Sequence, residues 1–86
     1  MYEVIFDEEA IKALEKLPRQ LKERIFNKIL SAKENPFHFF ERLEGRSDYK
    51  LRIGDYRAIA DIDEKSNKIK ITAVGHRKNI YKRLKS

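Results

Sequence analysis

This 86-residue sequence predicts an α+β fold with elements in the order βααβββ, a helical hairpin packed on a mostly antiparallel four-stranded sheet. Three observations carry that reading. Residues 8–35 repeat apolar positions at helical spacing. Residues 49–76 alternate apolar and polar with a period of two. All three glycines and both prolines fall where elements break.

Residues 2–6 are a short β-rich run and form the first strand. Asp7 follows as an N-cap, and Glu8 and Glu9 suit the positive end of a helix dipole. Ala10, Leu14 and Leu17 then share a helical face, with Ala13 nearby. Pro18 ends that helix or opens the next. In residues 19–35, Leu21, Ile25, Ile29 and Ala32 form one stripe and Phe26 and Leu30 a second. Two stripes call for two contacts: the sheet, and either the first helix or another protein. Asn35-Pro36 stops this helix.

The rest reads as two hairpins. Strand 49–53 pairs with 56–63 across Gly54-Asp55, and 56–63 pairs with 68–76 across residues 64–67. Glycine first in a two-residue loop suits a type II′ turn, which needs φ > 0 there. Ile53 then faces Tyr56, Arg52 faces Arg57, Asp63 faces Lys68 and Asp61 faces Lys70. Alternation puts Tyr49, Leu51, Ile53, Tyr56, Ala58, Ala60, Ile62, Ile69, Ile71 and Ala73 on a core face. Lys50, Arg52, Arg57, Ile59, Thr72, Val74 and His76 fall on the other. Arg52 opposite Arg57 is a repulsive pair, which makes sense if an anion belongs between them.

At this length the chain is one domain, residues 1–86, near the lower size limit for independent folding. It has no cysteine, so no disulfide supplements the core. No apolar run approaches the ~18 residues of a membrane span, and the N-terminus lacks the regions of a signal peptide; a cytoplasmic protein is expected. The net charge is +6, and its distribution says more. Residues 1–45 hold eight Lys/Arg and nine Asp/Glu, whereas residues 46–86 hold twelve and five. A basic face on a small domain is the footprint of a nucleic-acid binder; a solvated lysine-rich surface is the plainer reading.

The residues leave little room for several chemistries. Without cysteine, and with His38 and His76 far apart, no transition-metal motif exists, so no cofactor is expected. No serine sits in a nucleophile turn, and there is no P-loop or GxGxxG. RNA cleavage through the 2′-OH needs none of these, because the nucleophile belongs to the substrate. It needs proton transfer and stabilisation of a phosphorane. Arg57 and Arg77 suit the charge, since a guanidinium fork matches phosphate oxygens. Lys50 is a candidate base if neighbouring cations such as Arg52 favour its neutral amine. His76 is the nearby group that ordinarily titrates near neutrality. Tyr81 can stack on a base. Lys78, Lys82 and Arg83 extend the RNA-binding set formed by Lys50, Arg52 and Arg57. Plain readings stand beside these: edge-strand charges for Lys50 and Arg52, core packing for Tyr81, a strand-end polar residue for His76.

The element order, Leu43-Glu44-Gly45, the Tyr-Lys-x-Arg…Gly-x-Tyr-Arg hairpin at 49–57 and the Val-Gly-His-Arg-x-x-x-Tyr ending at 74–81 together resemble the RelE/ParE toxin superfamily over essentially the whole chain. The resemblance implies the toxin of a type II toxin–antitoxin system. In its RelE-type form such a toxin is a metal-independent endoribonuclease that cuts mRNA at the decoding site of the ribosome, beside 16S rRNA. It implies a RelB-like antitoxin that blocks the site, and a heterotetramer that binds operator DNA through the antitoxin. Residue by residue, Lys50 and Arg52 match two basic strand positions, Arg57 the phosphate-stabilising arginine, Arg77 a second arginine with an acid or charge-stabilising role, and Tyr81 the base-stacking tyrosine. Arg52 stands where a lysine is proposed as general base, and a guanidinium is a poor base, so that role passes to Lys50 or His76. His76 also replaces a lysine. Two alternatives remain: a ParE-like toxin acting on DNA gyrase, and a non-catalytic RNA-binding module or inactive relic.

Overall fold

Asp7 caps the first helix as its position predicts, its carboxylate accepting the Glu8 N–H at 2.8 Å. The computed structural model describes residues 2–84, with side chains through residue 82. Strand β1 (Glu3–Phe6) leads into α1 (Glu8–Glu15) and α2 (Arg19–Ala32), separated at Pro18. A four-residue helix, α3 (Pro36–Phe39), opens with its proline and runs into β2 (Phe40–Arg42). Then come β3 (Tyr49–Ile53), β4 (Tyr56–Asp63), β5 (Lys68–His76) and a terminal helix, α4 (Arg77–Leu84). The sheet order is β1-β5-β4-β3-β2, antiparallel except for β1 on β5.

The core lies between this sheet and the α1–α2 hairpin. Ala10 and Leu14 of α1, and Ile25, Ile29 and Ala32 of α2, meet Leu51, Ile53, Ala58, Ala60, Ile69, Ile71 and Val74. Ala58 and Ala60, both fully buried, add little bulk between sheet and helices. The pairs Arg52–Arg57, Ile53–Tyr56, Asp61–Lys70 and Asp63–Lys68 occur in the register expected.

Three expectations are corrected. The sheet has five strands, because residues 40–42 add an edge strand in which Glu41 lies opposite Lys50. A helix also follows the last strand. Third, the register of β5 slips: Ile59 pairs with Ala73 but Ala60 pairs with Ile71, so Thr72 is an extra residue. Such a bulge reverses the facing of everything beyond it. Val74 therefore enters the main core and His76 lies opposite Tyr56 on the helix side, while Ala73 turns to the other face. The Thr72 hydroxyl donates to the Ile59 carbonyl at 3.3 Å, across the disrupted stretch of ladder.

The β2–β3 connection is braced by a charge pair. Asp48, 8% exposed, accepts from Arg46 Nε at 2.9 Å and Nη2 at 3.0 Å. The Arg46 hydrogen bond holds the Asp48 carboxyl below its ordinary value, against the opposing effect of burial. A depressed folded-state value means stability that is complete above the ordinary carboxylate pKa and is lost as pH falls through the folded one. Asp48→Ala should cost about 1–3 kcal/mol at pH 7. Thermal melts should show the gap from the parent closing below about pH 4; a gap independent of pH would refute the charge pair as its source.

Candidate functional site

Two guanidinium groups are tied to the Gly54-Asp55 turn, and a third lies against it. Gly54 has φ +58°, and Asp55 is not among the positive-φ residues, the combination of a type II′ turn. Arg57 Nη1 donates to the carbonyls of Gly54 and Tyr56, each at 2.8 Å. Those two bonds use both hydrogens of Nη1 and hold the guanidinium on the turn, leaving the Nε and Nη2 donors for a ligand. Arg77 donates its backbone N–H to the Asp55 carbonyl at 2.8 Å, and its Nε lies 3.7 Å from the Asp55 carboxylate. Arg24, reaching over from α2, lies so close that a Cβ on Gly54 would stand 2.9 Å from its Nη2.

The sheet face away from the α1–α2 hairpin carries the cations. Lys50, Arg52 and Arg57 alternate with core residues, so they share this face with Ile59, Ala73 and Gly75. Helix α4 sits here too. Its Ile80 is fully buried against Leu43 and Ile59, with Ala73 and Tyr81 packed beside it. Gly75 lets α4 approach: a Cβ there would stand 3.2 Å from Ile80 Cδ1. Docked in this way, Tyr81 comes under Lys50, whose Nζ is 6.0 Å from the ring centroid.

Lys50, Arg52, Arg57 and Tyr81 therefore lie on one face, and Arg77 joins them through the turn. His76 does not. The bulge at Thr72 sends it to the opposite side, edge-on to Tyr56 with ring centroids 5.4 Å apart, beside Glu9 and Lys12 of α1 and Lys16 at that helix's C-cap. Its Nδ1 accepts the Lys78 N–H at 3.1 Å, within the first turn of α4. Lys78 and Lys82 are exposed on α4, and Arg83 lies outside the residues whose side chains are described. Among the described residues, no three His, Cys, Asp or Glu side chains gather as a metal site.

Several contributors escaped sequence reasoning. Asp55 anchors Arg77, Ile80 seats Tyr81, and Arg24 rests on the turn. The sequence did carry a sign of the seam that seats Ile80, since Leu43-Glu44-Gly45 has a structural cause. Leu43 is a core residue of the α4 seam, and Gly45 has φ +73° with open space around it.

The same architecture recurs in solved structures. A chain of the RelBE2 toxin–antitoxin complex of Mycobacterium tuberculosis is 26% identical, with a TM-score of 0.80 over 88% of this chain and 98% of that one. A chain of the archaeal RelE–RelB complex of Pyrococcus horikoshii is 30% identical, with a TM-score of 0.75 over 88% and 94%. The isolated RelE toxin of E. coli, 23% identical, matches with a TM-score of 0.75 over 98% and 99%, a likeness of fold. Fold and relatives together define the class as a toxin of RelE/ParE architecture. A family model described as the ParE toxin of type II toxin–antitoxin systems, parDE, matches residues 4–81, and the chain belongs to that family. No curated protein matches the sequence. No helix among the described residues is long and apolar enough to cross a membrane, which says nothing of β-barrels.

Proposed function

We propose that this toxin cleaves messenger RNA in the decoding site of the ribosome through the substrate's own 2′-OH. The observation that carries the reading is the sharing of one hairpin face by Lys50, Arg52, Arg57 and Tyr81, with Arg77 tied to the same turn. The 2′-oxygen attacks phosphorus as its proton passes to Lys50. The bond to the 5′-oxygen breaks, and that oxygen takes up a proton from solvent water. Arg57 offers a preset fork to the phosphorane oxygens, and Arg77 stabilises charge on the leaving side. Tyr81 stacks on a base beside the scissile bond. Removing His76 from this face leaves Lys50 as the proton acceptor of the sequence-derived set.

Such a reaction leaves a 2′,3′-cyclic phosphate and a 5′-OH, with no loss of the chemical step in EDTA while ribosomes remain intact. End-mapping of mRNA cut on programmed ribosomes tests this. A 5′-phosphate product, or cleavage at a 2′-deoxy nucleotide, would rule the mechanism out. The parDE family match favours a second reading, inhibition of DNA gyrase. Loss of gyrase supercoiling with intact mRNA would select it.

In either reading we infer a co-encoded antitoxin, as in the RelB complexes of the relatives. It would cover the groove of about 460 Å³ between α1 and α2, lined by Phe6, Ile11, Leu14 and Phe26. Ile11 and Phe26 are 44% and 41% exposed, and Phe6 stacks on Phe26, so an amphipathic segment would bury them.

A further inference from the structure

Helix α2 presents Arg24, Asn27, Lys28 and Ser31 on one face, at the i, i+3, i+4 and i+7 positions. These side chains look across a cleft of about 530 Å³ to the end of β3 at Arg52 and Ile53 and to Gly54 of the turn. The β3 edge is bare there because β2 pairs only with residues 49–51. Arg24, Lys28 and Arg52 line the cleft, and no carboxylate lines it. The local sequence withholds one. The positions three and four away from Arg24 and Lys28 are Gln20, Leu21, Ile25, Asn27, Ser31 and Ala32, besides each other. Two like charges one turn apart destabilise a helix slightly, and here nothing within the helix offsets them. Three arginines outside the cleft do lie beside carboxylates: Arg19 with Glu23 at 3.1 Å, Arg46 with Asp48 at 2.9 Å, Arg77 with Asp55 at 3.7 Å.

Two of the cleft cations lie against neighbouring groups. Lys28 Nζ sits 4.9 Å from the centre of the Phe39 ring, a cation–π contact. Arg24 lies against the Gly54 backbone, where any side chain would displace it. Arg52 borders both this cleft and the face that carries Arg57. An extended polyanion lying along Arg57 and Arg52 would reach Arg24 and Lys28 by passing around the β3 edge.

We propose that Arg24 and Lys28 form a second phosphate-binding subsite, which grips the RNA backbone away from the cleaved bond. The proposal rests on the RNA-cleaving reading and adds a positioning role to α2. The subsite takes phosphodiesters, which one ammonium and one guanidinium can neutralise whatever the base.

The test uses the full chain, a 2′-O-methylated single-stranded RNA that cannot be cut, and the Arg24→Gln/Lys28→Gln variant. Both residues are polar α2 positions outside the core, and a thermal melt checks that the fold persists. Binding is measured across a salt series. Loss of two phosphate contacts should lower the magnitude of the log K against log salt slope by about 1.4, with weaker binding at low salt. A second arm repeats the measurement with small ribosomal subunits lacking message. A deficit there as well assigns the phosphates to ribosomal RNA, and a deficit on the oligonucleotide alone assigns them to the message. An unchanged slope in both arms, with the parent binding and cutting RNA, overturns the subsite and leaves the function standing. Weakened binding of the co-encoded antitoxin with RNA binding intact would give the cleft to a protein partner and also overturn it. A parent chain that neither binds RNA in a salt-dependent way nor cuts mRNA would fail the functional reading itself.

Discussion

Arg57→Ala should slow single-turnover mRNA cleavage by about 10²–10³-fold, the loss typical of deleting one donor that stabilises transition-state charge. It should barely change stability. The guanidinium makes two 2.8 Å bonds to the Gly54 and Tyr56 carbonyls at an exposed turn, and water replaces those bonds when the side chain is removed. The residual cost is about 1 kcal/mol, partly offset by ending the opposition of Arg57 to Arg52 in the register. Arg57→Lys keeps the charge but loses the fork. A lysine cannot brace both carbonyls while presenting two parallel donors to a phosphorane, so it should recover only a minor part of the rate. Cleavage rates and melts of the same two variants decide the matter. A large drop in melting temperature would make Arg57 a structural brace, and an unchanged rate would remove it from the site.

The central hairpin was legible because each sign agreed with the others. Gly54-Asp55 set the turn, the turn set the register, and the register placed apolar residues on one face and cations on the other. What failed to show was short or non-local. Strand β2 is three residues long with only Phe40 buried, too brief for a period of two to appear. Its pairing with β3 decides it. The bulge at Thr72 leaves no mark in the alternation, since Ala73 and Val74 are both apolar and either can face inward. That ambiguity misplaced His76, the one candidate base lying beyond the bulge. The α4 seam was hidden for a different reason. Ile80 adjoins Tyr81, and in a segment of Arg, Lys and Asn a lone isoleucine does not announce a core.

That seam is the second place where a single change should have a large effect. Ile80 is fully buried, and Ile→Ala in such a position costs about 2–5 kcal/mol. Helix α4 has eight residues, well below the length at which an isolated helix is stable. Its docking rests on a small cluster, Leu43, Ile59 and Ile80 with Ala73 and Tyr81, apart from the main core beneath α1 and α2. The loss should therefore appear as local undocking of α4 and not as global unfolding. Amide exchange should rise across residues 77–82 while the core strands keep their protection. Cleavage should fall at least tenfold as Tyr81 leaves Lys50. Gly75→Ala attacks the same seam from the sheet side, because the new methyl would stand 3.2 Å from Ile80 Cδ1. Each single change should loosen α4, one by a cavity and the other by crowding. The double variant Gly75→Ala/Ile80→Val, in which a smaller side chain meets the added methyl, should recover protection and rate relative to Gly75→Ala alone. That non-additivity is the signature of direct contact. Additive effects, or a global melt that falls by the full amount in Ile80→Ala, would show that α4 belongs to the main cooperative unit and that Tyr81 is held by more than this seam.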